Sequence, residues 1–107
     1  MIRVATGQIC FIGEDEVYDK RKDKHKVRLA ITTKNVFHPT RIEYIEFDLL
    51  NDNINLIDDM QLAVGDFVEL QYQDIGRMYS YVDDSGEEQK RFHQNKDCFK
   101  ITVLNNY

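Results

Sequence analysis

The chain has 107 residues, 42% hydrophobic and 11% aromatic, enough for one compact core and too few for two ordinary domains. Its formal net charge of -5, from 14 Lys+Arg against 19 Asp+Glu, argues on its own against a polyanion as partner. No apolar run approaches the roughly 18 residues that span a bilayer, and the first residues lack the basic-then-apolar order of a secretory leader. A single soluble, cytoplasmic domain over 1–107, with no membrane partner, is expected.

The first predicted element, Arg3 to Ile12, is β-rich, with Val4, Ile9, Phe11 and Ile12 set around Gly7 and Gly13. Glycine within a strand often marks a bulge or bend, so a long curled strand is expected, resuming as far as Tyr18. Asp19 to Lys24 reads as a charged loop. His25 to Thr33 is a second strand: Val27, Leu29 and Ile31 point one way, and Lys26, Arg28, Ala30 and Thr32 the other. Six basic residues, Lys20, Arg21, Lys22, Lys24, Lys26 and Arg28, fall within nine positions across this loop and strand. The acids gather elsewhere, at Glu14-Asp15-Glu16, Asp58-Asp59, Asp83-Asp84 and Glu87-Glu88.

Lys34 to Thr40, with Pro39, is a connector whose Phe37 and His38 read as a packed corner. Arg41 to Leu49 is a third strand, with Ile45, Phe47 and Leu49 inward and Ile42, Tyr44, Glu46 and Asp48 outward. Between Asn51 and Gln61 the period changes: Ile54, Ile57 and Met60 recur every third residue, the mark of a short helix that Asn51 or Asn53 would cap.

Val64-Gly65-Asp66 then reads as a turn. From Asp66 onward Val68, Leu70 and Tyr72 alternate with polar residues in a fourth strand, which Ile75-Gly76-Arg77 breaks. Met78 to Val82 and Gln89 to His93 form a hairpin about the turn Asp83-Asp84-Ser85-Gly86. Cys98 to Leu104 is the last strand, with Phe99, Ile101 and Val103 inward. Cys10 and Cys98 are far apart and lack CxxC spacing, so buried, reduced thiols are expected rather than a disulfide or zinc site.

Five strands with a helix between the third and fourth is the layout of the OB-fold, a small Greek-key barrel. The curled strand near Gly7, the strand end Phe47-Asp48-Leu49, the turn Leu62-x-Val64-Gly65-Asp66-x-Val68 and Gly76-Arg77-x-Tyr79 together resemble single-stranded-DNA-binding-protein-like OB domains of bacteria and phages. The resemblance covers roughly Val4 to Leu104. It implies an all-β, five-stranded barrel with a β-hairpin between strands four and five. Two departures from the replicative members are an insertion at Ser80 to Lys90 and an ending, Leu104-Asn105-Asn106-Tyr107, unlike the acidic tail by which those members recruit partners.

On that fold the binding surface is the exposed face of strands two and three with the loops after strands one and four. Those pieces carry Lys20, Arg21, Lys22 and Lys24 on the first loop, Lys26 and Arg28 on strand two, and Tyr44 on strand three. Arg77, Tyr79, Tyr81, Lys90, Arg91 and Phe92 lie along the second loop. Cations tracking phosphates and rings stacking on bases, at about 1–3 kcal/mol per base, are what hold a single strand. Each group also has a plainer role: the lysine run as a solvated loop, Tyr79 and Tyr81 as cover for a hairpin, Tyr44 as half-buried beside Ile42. Glu46 and Asp48 are unfavourable to a polyanion.

An enzyme is not expected. Gly65 and Gly76 are isolated turn glycines rather than a phosphate loop, His25, His38 and His93 lack ligand spacing, and no nucleophile stands beside a base. The expected function is single-stranded DNA (or RNA) binding with little sequence preference, in replication, recombination or repair, requiring no cofactor. Self-assembly through edge strands and contacts with replication proteins fit the same setting. The alternative is an OB-type protein-docking module that uses the 77–92 hairpin as its arm.

Overall fold

The computed structural model describes residues 1–34, 37–38 and 40–104, the side chains of Arg77, Tyr79 and His93 excepted. Asn35, Val36 and Pro39 of the expected connector and the ending Asn105-Asn106-Tyr107 therefore lie outside the described residues. The chain runs β1 (Ile2–Ile12), β2 (Glu16–Asp19), β3 (Lys24–Lys34), β4 (Ile42–Leu50), a 3-10 turn (Asn51–Ile54), α1 (Asn55–Asp59), β5 (Phe67–Val82) and β6 (Glu88–Val103). No helix among the described residues is long and apolar enough to cross a membrane.

β1 joins two partners in succession. Ile2 to Gln8 pair antiparallel with Gln73 to Phe67 of β5, and from Gln8 to Ile12 the strand pairs with Thr32 to Leu29 of β3. The changeover falls beside Gly7, where a Cβ would stand 2.4 Å from the Thr32 carbonyl oxygen and 3.1 Å from Ile31 Cδ1. Only a residue without a side chain lets the two backbones approach so closely. A bulge at Cys10, between Ile9 and Phe11, adds further twist.

The remaining pairings close a ring. β3 pairs antiparallel with β4 from Lys26–Leu50 to Lys34–Ile42, β4 meets β6 in parallel at Asp48–Asp97, and β6 pairs antiparallel with β5, which returns to β1. This ring of five strands, with a helix between β4 and β5, is the OB-fold. The short β2 lies outside it as a hairpin on β3, with Glu16 opposite Lys26 and Val17 opposite His25.

Ile9, Leu29, Ile31, Phe47, Leu49, Leu62, Val68, Leu70, Cys98 and Ile101 fill the barrel. The alternation of β3, β4 and β5 thus places its apolar set as expected, and the Phe47 ring meets Tyr72 edge-on at 5.0 Å and 70°. Ile54, Leu56, Ile57 and Met60 pack against the core from one end. The Gly65 turn fastens that end to β1: Gly65 N–H donates to the Ile9 carbonyl (2.8 Å), and Ile9 N–H donates to the Asp66 carbonyl (2.9 Å). Gly65 has φ +102°, and the Asp66 carboxylate accepts from the Ala63 amide at 2.9 Å.

Several expectations are corrected. Neither Asn51 nor Asn53 caps the helix: the 3-10 turn follows Leu50 with no side-chain cap, and Asn51 Oδ1 instead accepts from the His25 amide at 3.3 Å. Phe99 is not a regular inward position. Tyr72 pairs with Cys98 and Gln71 with Lys100, so Phe99 is the extra residue of a bulge and Cys98 takes the core place. Of the two free thiols only Cys98 is buried, and burial pushes its pKa up to about 11; Cys10, in its bulge, is half-buried. Phe37, expected in a packed corner, is 88% exposed and lies beyond Lys34–Ile42, the last β3–β4 pair.

The expected hairpin is present, and it continues the two barrel strands instead of interrupting them. β5 and β6 run through Gly76 and stay paired from Val68–Val103 to Val82–Glu88. The Phe92 ring covers the glycine, with Cζ 2.6 Å from where a Cβ would be, so the residue that looked like a strand end is a seat for an aromatic ring. This arm stretches the molecule to 55 × 34 × 25 Å and its radius of gyration to 16.2 Å, against about 13 Å for a sphere-like chain of this length.

Gly7→Ala is expected to cost about 1–3 kcal/mol, because the new methyl meets a backbone oxygen that belongs to a sheet ladder. Urea unfolding measures this, and an unchanged midpoint would contradict the account of the β1 bend.

Candidate nucleic-acid interface

Side chains directly opposite across an antiparallel pair are nearest neighbours on one face. The β3–β4 register sets Lys26 opposite Leu50, Arg28 opposite Asp48, Ala30 opposite Glu46 and Thr32 opposite Tyr44. β4 and β6 share one paired position, Asp48–Asp97, and part beyond it. A groove of about 340 Å³ opens there, lined by Lys26 and Arg28 of β3, Glu46 and Asp48 of β4, and Gln94, Asn95 and Lys96 of β6.

The charges in this groove are mixed. Lys96 Nζ lies 3.0 Å from Asp74 Oδ1 and 5.9 Å from the Tyr72 ring centre, while Arg3 Nε holds Asp74 Oδ2 at 3.1 Å. Arg28 and Asp48 face each other across the strands, yet no salt bridge joins them among the described residues. The Tyr44 hydroxyl donates to Glu46 Oε1 at 3.1 Å. Desolvation first, then this hydrogen bond, raises the phenol pKa above its usual value, so it remains a neutral donor at physiological pH. The Tyr44 ring is itself 55% exposed, beside Ile42, which is also exposed.

The basic loop adjoins β3. Asp19 Oδ1 accepts from the amides of Arg21 (3.1 Å) and Lys22 (3.2 Å), forming the turn that presents Lys20, Arg21 and Lys22 to solvent. Lys24, half-buried, opens β3 and pairs with Asp19. His25 fixes the base of this loop: Nδ1 lies 2.8 Å from Asp15 Oδ1 and Nε2 lies 3.0 Å from Asp23 Oδ1. With a carboxylate on each ring nitrogen the doubly protonated form is favoured, and the hydrogen bonds to Asp23 and then Asp15 raise its pKa.

The hairpin divides the rest of the expected set. Strand alternation puts Lys90 and Phe92 on one face, opposite Ser80 and Met78, whereas Tyr81 and Arg91 lie on the other. There the Arg91 guanidinium stands 5.9 Å from the Tyr81 ring centre, in cation–π range. Arg77 and Tyr79 occupy β5 positions opposite His93 and Arg91, and their side chains lie outside the described ones. The groove thus brings together Lys26 and Arg28 from the expected residues. It adds Gln94, Asn95 and Lys96, which sequence reasoning missed. Their only signal was a polar run between two apolar strands, and that pattern is equally the pattern of a loop.

No protein-family model matches the sequence, and no curated protein matches it either. The fold, however, is similar to that of solved structures. A crystal structure of the mitochondrial single-stranded DNA binding protein Rim1 from S. cerevisiae superposes with a TM-score of 0.65 at 13% identity, covering 100% of this chain and 97% of that one. A selenomethionine-labelled crystal of that protein gives 0.58 at 14% identity, with the same coverage. At such identities the likeness is one of fold.

The pH dependence of the loop base has a definite sign. Because His25 has a higher pKa folded than unfolded, its contribution to stability is complete below about 6.5 and is lost as pH rises through the folded value. An imidazole titration followed by NMR should place His25 above about 6.5 and move it downward in Asp23→Asn. A midpoint at or below that reference in the native protein would contradict the paired geometry.

Proposed function

We propose that this chain binds single-stranded nucleic acid, DNA first, across the outer face of β3 and β4 and the groove beside β6. The observation that carries the reading is the groove itself, which sets Lys26 and Arg28 of β3 and Lys96 of β6 around one opening, with the exposed Tyr44 on the same strand as two of its lining residues. Cations on separate strands fit a backbone that crosses the sheet, and an exposed ring offers a stacking platform. The Rim1-like fold supports the same reading, as do the motifs shared with bacterial and phage OB domains.

The basic loop, Lys20 to Lys24, extends this surface toward β2, and the Tyr81–Arg91 face of the hairpin is a further stacking place. A setting in replication, recombination or repair fits that resemblance; we further take the chain as cytoplasmic and as needing no cofactor. Among the described residues Ile2 to Thr6 pair with β5 alone, so their other edge is a seam on which a second copy could add.

A second reading rests on one observation. Met78, Val82 and Phe92 are 67%, 70% and 62% exposed on the hairpin, an apolar strip suited to docking a protein. The two readings part on where a ligand touches the molecule.

Lys26→Glu with Arg28→Glu should weaken binding to a labelled single-stranded oligonucleotide at least tenfold. It should also flatten the slope of log K against log[salt] by about 1.4, two phosphates at roughly 0.7 each. Fluorescence anisotropy at several salt concentrations reads both quantities. Unchanged affinity and slope would remove the groove from the interface.

A further inference from the structure

A groove built only to track phosphates has no use for carboxylates, yet two of the residues that line this one are Glu46 and Asp48. They are not neutralised by the neighbouring cations: among the described residues no salt bridge reaches either of them. Glu46 is oriented by the Tyr44 hydroxyl, and Asp48 is half-buried between Arg28 on β3 and the β6 wall. An ionised carboxylate only accepts hydrogen bonds, whereas the amides of Gln94 and Asn95 across the groove both donate and accept. The lining is thus cationic at Lys26, Arg28 and Lys96 and acceptor-rich on β4.

Bases differ in what they offer such acceptors. Cytosine and adenine present an exocyclic amino group, and guanine presents a ring N–H beside its amino group. Thymine has one ring N–H between two carbonyl oxygens, both of which repel a carboxylate. Acidic side chains are the natural acceptors for the cytosine amino group, and unstacked bases of a single strand expose these edges. Along β4, Tyr44, Glu46 and Asp48 stand at two-residue intervals, roughly 6.8 Å each, on one face. A base stacked on Tyr44 is therefore followed along the strand by two acceptor positions.

Resting on the single-strand reading above, we propose that Glu46 and Asp48 are specificity-determining residues that select amino-bearing bases over thymine, while Lys26, Arg28 and Lys96 hold the phosphates. This replaces the expectation of indifferent binding with a composition preference. It also gives the carboxylates a use that outweighs the repulsion they exert on the backbone.

The test is competition binding at one fixed salt concentration with labelled oligo(dC), oligo(dT) and an alternating dT-dG strand of equal length. Wild type should bind oligo(dC) and the dT-dG strand at least fivefold more tightly than oligo(dT). In Asp48→Ala and Glu46→Ala the preference should fall toward one while affinity for oligo(dT) holds or rises, because a repelling charge has gone. Asp48→Asn, which keeps the shape and adds a donor suited to thymine carbonyls, should also lose preference and guards against a folding defect. Equal affinities in wild type, or a preference unchanged in all three variants, would overturn the proposal and leave the carboxylates as mere repellents of phosphate. No binding to any of the strands would overturn the single-strand reading itself.

Discussion

A β-strand can hydrogen-bond along both edges, and the barrel depends on β1 using its two edges one after the other. Up to Gln8 it lies on β5, and from Gln8 onward on β3. The crossing works because Gly7 has no side chain to collide with the Thr32 carbonyl. From that bend follow the closed ring, the enclosed core of Ile9, Leu29, Ile31, Phe47, Leu49 and their neighbours, and the outward presentation of the opposite faces of β3 and β4. The Gly65 turn secures the same strand from the other side through its two backbone hydrogen bonds with Ile9. The groove is a consequence of closure: β4 and β6 touch at one paired position and diverge elsewhere.

An acidic protein can hold a polyanion only if its cations act at short range. At physiological ionic strength charges are screened over about 8 Å. The acidic turn Asp83-Asp84-Ser85-Gly86-Glu87-Glu88 lies at the tip of the hairpin, eight strand residues beyond Asp74, or roughly 26 Å along β5. Its field is spent well before the groove. What a strand in the groove meets is local: three cations, two carboxylates and two amides. The net charge of -5 is therefore a poor guide to the site, while the placement of Lys26 and Arg28 opposite Leu50 and Asp48 is an informative one.

Where strands alternate cleanly, their faces were legible in the sequence. Val27-Leu29-Ile31, Phe47-Leu49 and Val68-Leu70 all went inward, and Lys26, Arg28 and Tyr44 outward, because a strand has only two faces and one is apolar. Two things hid the rest. A bulge changes parity without any residue that announces it, so Phe99 looked inward and Cys98 took the core place. A glycine also has two meanings: Gly76 looked like a strand end, but the Phe92 ring covers it and the ladder continues, which carries Gln94 to Lys96 into β6 and onto the groove wall. The candidate site was therefore half visible, in its β3 and β4 residues. Its third wall is assembled by a long-range pairing that local patterns do not encode.

The central claim is that a single strand lies across β3, β4 and the facing part of β6. Its most direct test is amide chemical-shift mapping of the labelled protein during titration with a short single-stranded DNA. The account predicts the largest shifts at Lys26, Arg28, Tyr44, Glu46, Asp48, Asn95 and Lys96, with smaller ones in the Lys20–Lys24 loop. Shifts confined to the Met78–Phe92 hairpin, or none at all, would contradict it.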